Sequence, residues 1–302
     1  METLKNAALA LLLAAFAAAL LLFPAEAAEA ARQSVQLCLQ TVLPALFPFF
    51  VLSSLLVACG GAQVFGRALE PFMRPLFHLS GAGAAALALG LVGGYPVGAR
   101  TAAELYRGGC LPRKEAERLL AFCSNAGPGF ILGICGGAVL QSARAGAYLY
   151  LVHVASALLT GVALRGKQMP DGGGTLRAGA PRQGLLRSFP AAVRDSFAAV
   201  WSVCGFVVIF AVVLRFVTLL LPGHALAVGF VELTNGVLAL SPGREGFLLC
   251  ALFLGWGGLS VHAQTLSVLD GSGLSTRRYF LGKLTQAALS VPLAWLVSFR
   301  LY

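Results

Sequence analysis

Gly93-Gly94-Tyr95-Pro96-Val97-Gly98-Ala99-Arg100-Thr101 sits inside an otherwise apolar run from about Ala82 to Leu105. It has a counterpart later in the chain, Gly257-Gly258-Leu259-Ser260-Val261-His262-Ala263-Gln264-Thr265. Sliding one stretch onto the other superposes two glycine pairs, Val97 on Val261, Ala99 on Ala263 and Thr101 on Thr265. Glycine pairs followed by polar residues, at membrane depth and in two corresponding places, are how a duplicated carrier fold marks its binding site.

The rest of the chain supports a membrane setting. Hydrophobic residues make up 58% of it, only 11% are charged and the mean hydropathy is +0.82; soluble domains are nearer half apolar and a quarter charged. The 302 residues leave room for about six to nine spans of roughly 20 residues. The net charge of +10 comes mostly from short connections between apolar runs, so it reads as orientation by the positive-inside bias and not as nucleic-acid binding. Seven scattered cysteines form no C-x-x-C pair and read as small apolar residues.

The organisation expected is an all-α polytopic membrane protein, an inverted repeat with two re-entrant helical hairpins and two discontinuous helices. Residues 1–33 form a first span with an outer loop; Ala25-Glu26-Ala27 resembles a signal-peptidase site, but the long apolar run favours a retained helix. Residues 34–165 form the first repeat, with Pro44 and Pro48 kinking or breaking the span from Ser34 to Ala58 and 63–78 lying in the interface. The stretch 166–190, with Lys167, Arg177, Arg182, Arg187 and Gly172 to Gly174, is a flexible basic linker on the cytoplasmic side. Residues 191–302 form the second repeat. The two glycine-broken runs are the hairpins, and the halves around Ser124-Asn125 and Glu232 are the broken helices. Counting hairpins as non-crossing puts Arg277, Arg278 and Lys283 near the outer face, against the positive-inside bias.

Candidate site residues follow from these breaks. The first tip gives Gly94, Tyr95, Pro96, Arg100 and Thr101; Arg100 is either the fork that holds a carboxylate or phosphate or one half of an i,i+4 pair with Glu104. Ser124, Asn125 and Gly127 lie beside Pro128, where lost helical bonds free amides and carbonyls for a ligand. Glu232, Thr234 and Asn235 form the matching feature; Glu232 is either a proton- or cation-coupling group or the partner of Arg215 or Arg100. Ser260, His262 and Gln264 read as the polar lining of the second tip. No hydrolase, metalloprotease or ATP-binding motif is present, so the expectation is no enzyme, no cofactor and no metal, with the coupling ion, proton or sodium, left open.

GGYPVGARTAAELY, ERLLAFCSNAGPGF, ELTNG and GGLSVHAQ together resemble the sporulation integral membrane protein family called YlbJ, or stage V sporulation protein V, over nearly the whole chain from Ser34 to Phe299. That family lies within the wider nucleoside-recognition Gate-domain proteins, themselves similar to concentrative nucleoside transporters. The resemblance implies a carrier in the cell or outer forespore membrane, moving dipicolinic acid out of the mother cell. The partners it implies are a small-molecule anion and the lipid bilayer, with no nucleic acid and with homo-oligomerisation left open. A nucleoside or other small metabolite is the alternative cargo, and a non-transporting sporulation scaffold the alternative role.

Overall fold

A computed structural model describes residues 2–166, 184–220 and 225–302. Among them the chain is helical, in the order α1 (Glu2–Leu22), α2 (Pro24–Leu37), a wider-wound π turn (Cys38–Val42), α3 (Leu43–Ala58), α4 (Gly61–Phe77), a 3-10 turn (Gly81–Gly83), α5 (Ala84–Gly93), α6 (Val97–Arg107) and α7 (Arg113–Leu119). A π-helix (Gly129–Val139) follows, then α8 (Ala143–Ala163), α9 (Leu185–Leu220), α10 (Ala225–Val231), α11 (Leu233–Leu238), α12 (Arg244–Trp256), α13 (Gly258–Leu269) and α14 (Arg277–Ser298). Among the described residues four helices are long and apolar enough to cross a membrane, or up to six if each bent pair counts as one span.

Pro44 and Pro48 do not break their span. The π turn at Cys38–Val42 precedes Pro44 and loosens the ladder where a proline removes a donor, so α2, the turn and α3 run on without interruption. This long helix packs against α9, with Cys38 facing Cys204 and Phe47 edge-on to Phe197. α9 has 36 residues, about 54 Å at 1.5 Å per residue, and it begins inside the stretch read as linker. The charges expected at 167, 177 and 182 and the triple glycine lie outside the described residues.

The glycine-broken stretch at 93–96 is a hairpin tip. α5 and α6 fold back on each other, and the backbones of Gly90 and Gly98 close around the Cys123 carbonyl so tightly that a methyl group on either would collide with it. Small residues permit such approach within a membrane bundle, and the alanines of α5 supply the rest of that packed surface.

The second glycine pair behaves differently. α12 and α13 pass as a single 26-residue span, Arg244–Leu269, broken at Gly257, which adopts φ +94. The fold-back of the second half is made instead by α10 and α11, which pack on each other through Gly229 and Gly236, with Glu232 at the tip. Each half therefore holds one hairpin and one broken helix, but Gly93-Gly94 and Gly257-Gly258 fall on unlike elements.

The contacts of the loops that follow fix which face they share. The Ser275 amide donates to Glu117 at 2.9 Å, Arg107 donates to the Asp270 carbonyl at 2.7 Å and Arg278 to the Leu164 carbonyl at 3.4 Å. The start of α14 thus shares a face with α7 and with the end of α8, where the basic linker begins, and not with the opposite face as the crossing count had required. That face gathers Arg107, Arg113, Lys114, Arg118, Arg165, Arg277 and Arg278.

Candidate anion site at the meeting of both halves

α14 carries Tyr279, Lys283, Gln286 and Ser290 at spacings of four, three and four, which puts them on one helical face. All four are buried, Lys283 at 1% exposure. Its ammonium donates to Gln286 Oε1 at 2.9 Å, to the Tyr95 hydroxyl at 3.1 Å and to the Ser124 carbonyl at 3.2 Å, and it stands 4.9 Å from the centre of the Tyr95 ring. Each of these acceptors is neutral. A cation at membrane depth costs about 2.5–3.5 kcal/mol even on the lenient insertion scale, and three neutral acceptors with a cation–π contact of about 2 kcal/mol offset that without neutralising the charge.

The partners come from every element that breaks. Tyr95, on the first tip, also donates to the Leu254 carbonyl of α12 at 2.7 Å. Gln286 donates to Asn125 at 3.0 Å, and Asn125 donates to the Phe122 carbonyl at 2.8 Å, so the unwound segment before Pro128 is held by side chains where its ladder is lost. The Ala126 amide in that segment donates to His153 Nε2 on α8 at 3.0 Å, a role for His153 beyond packing. Gly94 and Gly127 touch backbone to backbone. In the second half Gly257 lies beside the Lys283 side chain and Gly258 beside the backbone of Glu232. Both tips and both breaks converge on one place.

His262 sits one turn further along. Its Nδ1 is 2.8 Å from the Tyr279 hydroxyl, which bonds Thr265 at 3.3 Å, and its ring is edge-on to Trp256 and Tyr279. Four buried polar atoms of these segments, Ser124 Oγ, His153 Nδ1, Ser260 Oγ and His262 Nε2, have no hydrogen-bond partner among the described residues. Buried polar groups are ordinarily satisfied, and unmade bonds on the segments that meet near Lys283 are what a polar ligand would complete.

Of the expected residues, Tyr95, Ser124, Asn125, Ser260 and His262 fall in these segments, with Gly94 and Gly127 as the backbone contact and Pro96 buried behind the tip. Gln264 is buried on α13. Thr101 turns its hydroxyl to the Val97 carbonyl at 2.9 Å, a helix-internal bond. Glu232 pairs with neither Arg215 nor Arg100: it caps α11, accepting from the Thr234 amide at 3.1 Å, the Asn235 amide at 2.8 Å and the Asn235 side chain at 2.8 Å. A carboxylate at the first turn of a helix is stabilised by the free amides there, so Thr234 and Asn235 serve the cap.

Arg100 stands apart from Lys283, paired with Glu104 at 2.8 Å and flanked by Ser54 at 3.2 Å and Ser196 at 3.4 Å. Lys283 was missed because Arg277 and Arg278 make it look like part of a basic flank. The signal that could have found it was the polar face it shares with Tyr279, Gln286 and Ser290.

A family model described as nucleoside recognition, Gate, matches residues 39–161, which include the first tip, the first break and His153. The sporulation integral membrane protein YlbJ of Bacillus subtilis (strain 168) is 29% identical over 319 aligned positions, covering 90% of this chain and 78% of the relative. No solved structure matches the chain. With its apolar spans, its Gate region and this likeness along nearly its whole length, the chain is a multi-pass membrane protein similar to the sporulation integral membrane protein YlbJ and carrying a region that matches the Gate nucleoside-recognition model.

Proposed function

We propose that the protein is a carrier for a small organic anion, an aromatic dicarboxylate such as dipicolinic acid, acting in sporulation as its relative's name suggests. The observation that supports this is Lys283: a buried ammonium with three neutral acceptors, placed where a hairpin tip and a broken helix from each half meet. A carboxylate arriving there supplies the missing countercharge, and Ser124, Ser260, His153 and His262 supply polar contacts to the rest of a flat polar ring. Arg–carboxylate forks hold geometry; a lysine here works as a point charge and returns to its neutral acceptors when the anion leaves.

The two hairpins are read as re-entrant and the halves as inverted, with the basic face in the cytoplasm by the positive-inside bias. A scaffold protein has no use for a buried charge that packing alone would replace with a methionine. The printed description of the Gate model favours one second reading, a nucleoside as cargo, for which the Asn125 and Gln286 amides would read the base.

Uptake of labelled dipicolinate into proteoliposomes, with uridine as competitor, separates these readings. Saturable uptake that uridine does not affect and that Lys283→Met lowers at least about a hundredfold is the result expected. Competition by uridine would change the cargo; no uptake under any imposed gradient, from protein shown to be folded, would overturn the carrier.

A further inference from the structure

Two buried histidines stand on the elements around Lys283, and their hydrogen bonds put the ring proton in different places. A neutral imidazole has one nitrogen that donates and one that accepts. In His153 the accepting nitrogen is Nε2, which takes the Ala126 amide at 3.0 Å. Its proton is therefore on Nδ1, which has no acceptor. His153 is a fixed donor, and it gains a second proton only by giving up the amide that holds the unwound segment.

His262 is the reverse case. The Tyr279 hydroxyl has one proton and donates it to Thr265 Oγ1 at 3.3 Å. The 2.8 Å contact between that hydroxyl and His262 Nδ1 is then made by a proton on Nδ1. This leaves Nε2 as a bare lone pair, buried and without a partner, on a ring enclosed by Trp256, Tyr279 and Phe280. Nε2 can take a proton without breaking any bond that the ring already makes.

The other ionisable groups around His262 are committed. From α14 it faces Tyr279, whose proton is spent on Thr265, and Lys283 one turn beyond. Cys123 packs in the same apolar cluster as Tyr279, and α12 presents Trp256. On α6, Arg100 and Glu104 pair with each other, and Ser53 and Ser54 donate to the same carboxylate. Glu232, beside Gly258, caps α11. α9 brings Asp195 to the cavity at the Ser267 end of α13.

Proton and anion need each other here. With the site empty, a proton on Nε2 would add a second positive charge near Lys283, and like charges disfavour each other. A bare Nε2 lone pair, in turn, repels a carboxylate. Once a dianion is seated, Lys283 and a protonated His262 balance its two charges, so each ligand favours the other by the same factor.

We infer that His262 carries the coupling proton: Nε2 takes a proton from the aqueous side as a dicarboxylate seats on Lys283, forming one N–H bond, and returns it to water when the anion leaves on the far side. The inference rests on the carrier reading for the identity of the anion.

Calorimetry of dipicolinate binding to the full chain in nanodiscs, in buffers of different ionisation enthalpy, counts the protons taken up per anion. Wild type is expected to take up about one proton more than His262→Asn, whose amide keeps a donor for Tyr279 and has nothing in the place of Nε2. Any proton that Lys283 gains is common to both. Near neutral pH, each unit rise should weaken wild-type binding about tenfold more than it weakens binding by the variant. Nitrogen NMR of histidine-labelled wild type gives a second readout that needs no folded variant: one ring gains a second proton when dipicolinate is added, and none carries two before. Binding with equal proton counts in the two proteins, or with no ring gaining a proton, would overturn the role of His262 and leave the carrier reading intact. Absence of dipicolinate binding by folded wild type would refute the carrier reading, and the coupling with it.

Discussion

At the scale of single residues, Lys283 is a fully buried charge that packing does not explain. Replacing a buried charge by a hydrophobic side chain of similar length is often neutral or stabilising by about 1–4 kcal/mol. Lys283→Met should therefore keep or raise the unfolding temperature in detergent while removing anion binding. A large drop in stability would instead make Lys283 a structural brace for Tyr95, Ser124 and Gln286. The breaks at 93–96 and 124–129 were legible because Gly and Pro announce lost hydrogen bonds; Lys283 was not, because two arginines before it disguise a core residue as a flank.

At the scale of elements, close backbone approach decides which glycines matter. Gly98→Ala would push a methyl into the Cys123 carbonyl and should cost about 1–3 kcal/mol or prevent folding, as overpacking does. Gly129→Ala, with open space around it, should be neutral or stabilise by up to about 1 kcal/mol; thermal unfolding of the two variants distinguishes them. The same physics explains the misleading repeat. A hairpin tip and a helix break both need glycine where backbones touch, so two unlike elements acquired similar strings, and the fold-back at Glu232 went unnoticed because its tip is a capping carboxylate without a glycine pair.

The loop clasp at the basic face has its own signature. Partial burial works to raise the pKa of Glu117, but hydrogen bonds from Arg113 and from the Ser275 amide and the charges of Arg113 and Arg278 outweigh it and hold the carboxyl below its ordinary value. A depressed folded-state pKa contributes stability above the unfolded value of about 4.3, and that contribution is lost as pH falls through the folded value. Hydrogen exchange at the Ser275 amide should accordingly lose protection, relative to intrinsic exchange, only in strongly acidic solution. In Glu117→Gln the loss of protection should already be present at neutral pH; unchanged protection in that variant would refute the clasp.

At the scale of the whole molecule, the through-running α12–α13 span fixes which loops share a face. Single cysteines at Lys114 and Ser275 should label from one side of the membrane, and a cysteine at Arg144 or Gly243 from the other. Labelling of 114 and 275 from opposite sides would restore the crossing count that the sequence alone suggested. The all-helical class was legible from hydropathy. Which segment of the second half folds back on itself and which runs through was not, since that depends on contacts between segments far apart in the chain, such as Gly258 with Glu232.

The most direct measurement is equilibrium binding of labelled dipicolinate to the full chain in lipid nanodiscs, comparing wild type, Lys283→Arg and Lys283→Met. Saturable binding by wild type, retained at reduced affinity in Lys283→Arg and lost by at least about a hundredfold in a folded Lys283→Met, is expected if Lys283 is the anion's countercharge. Equal binding by Lys283→Met and wild type would contradict it.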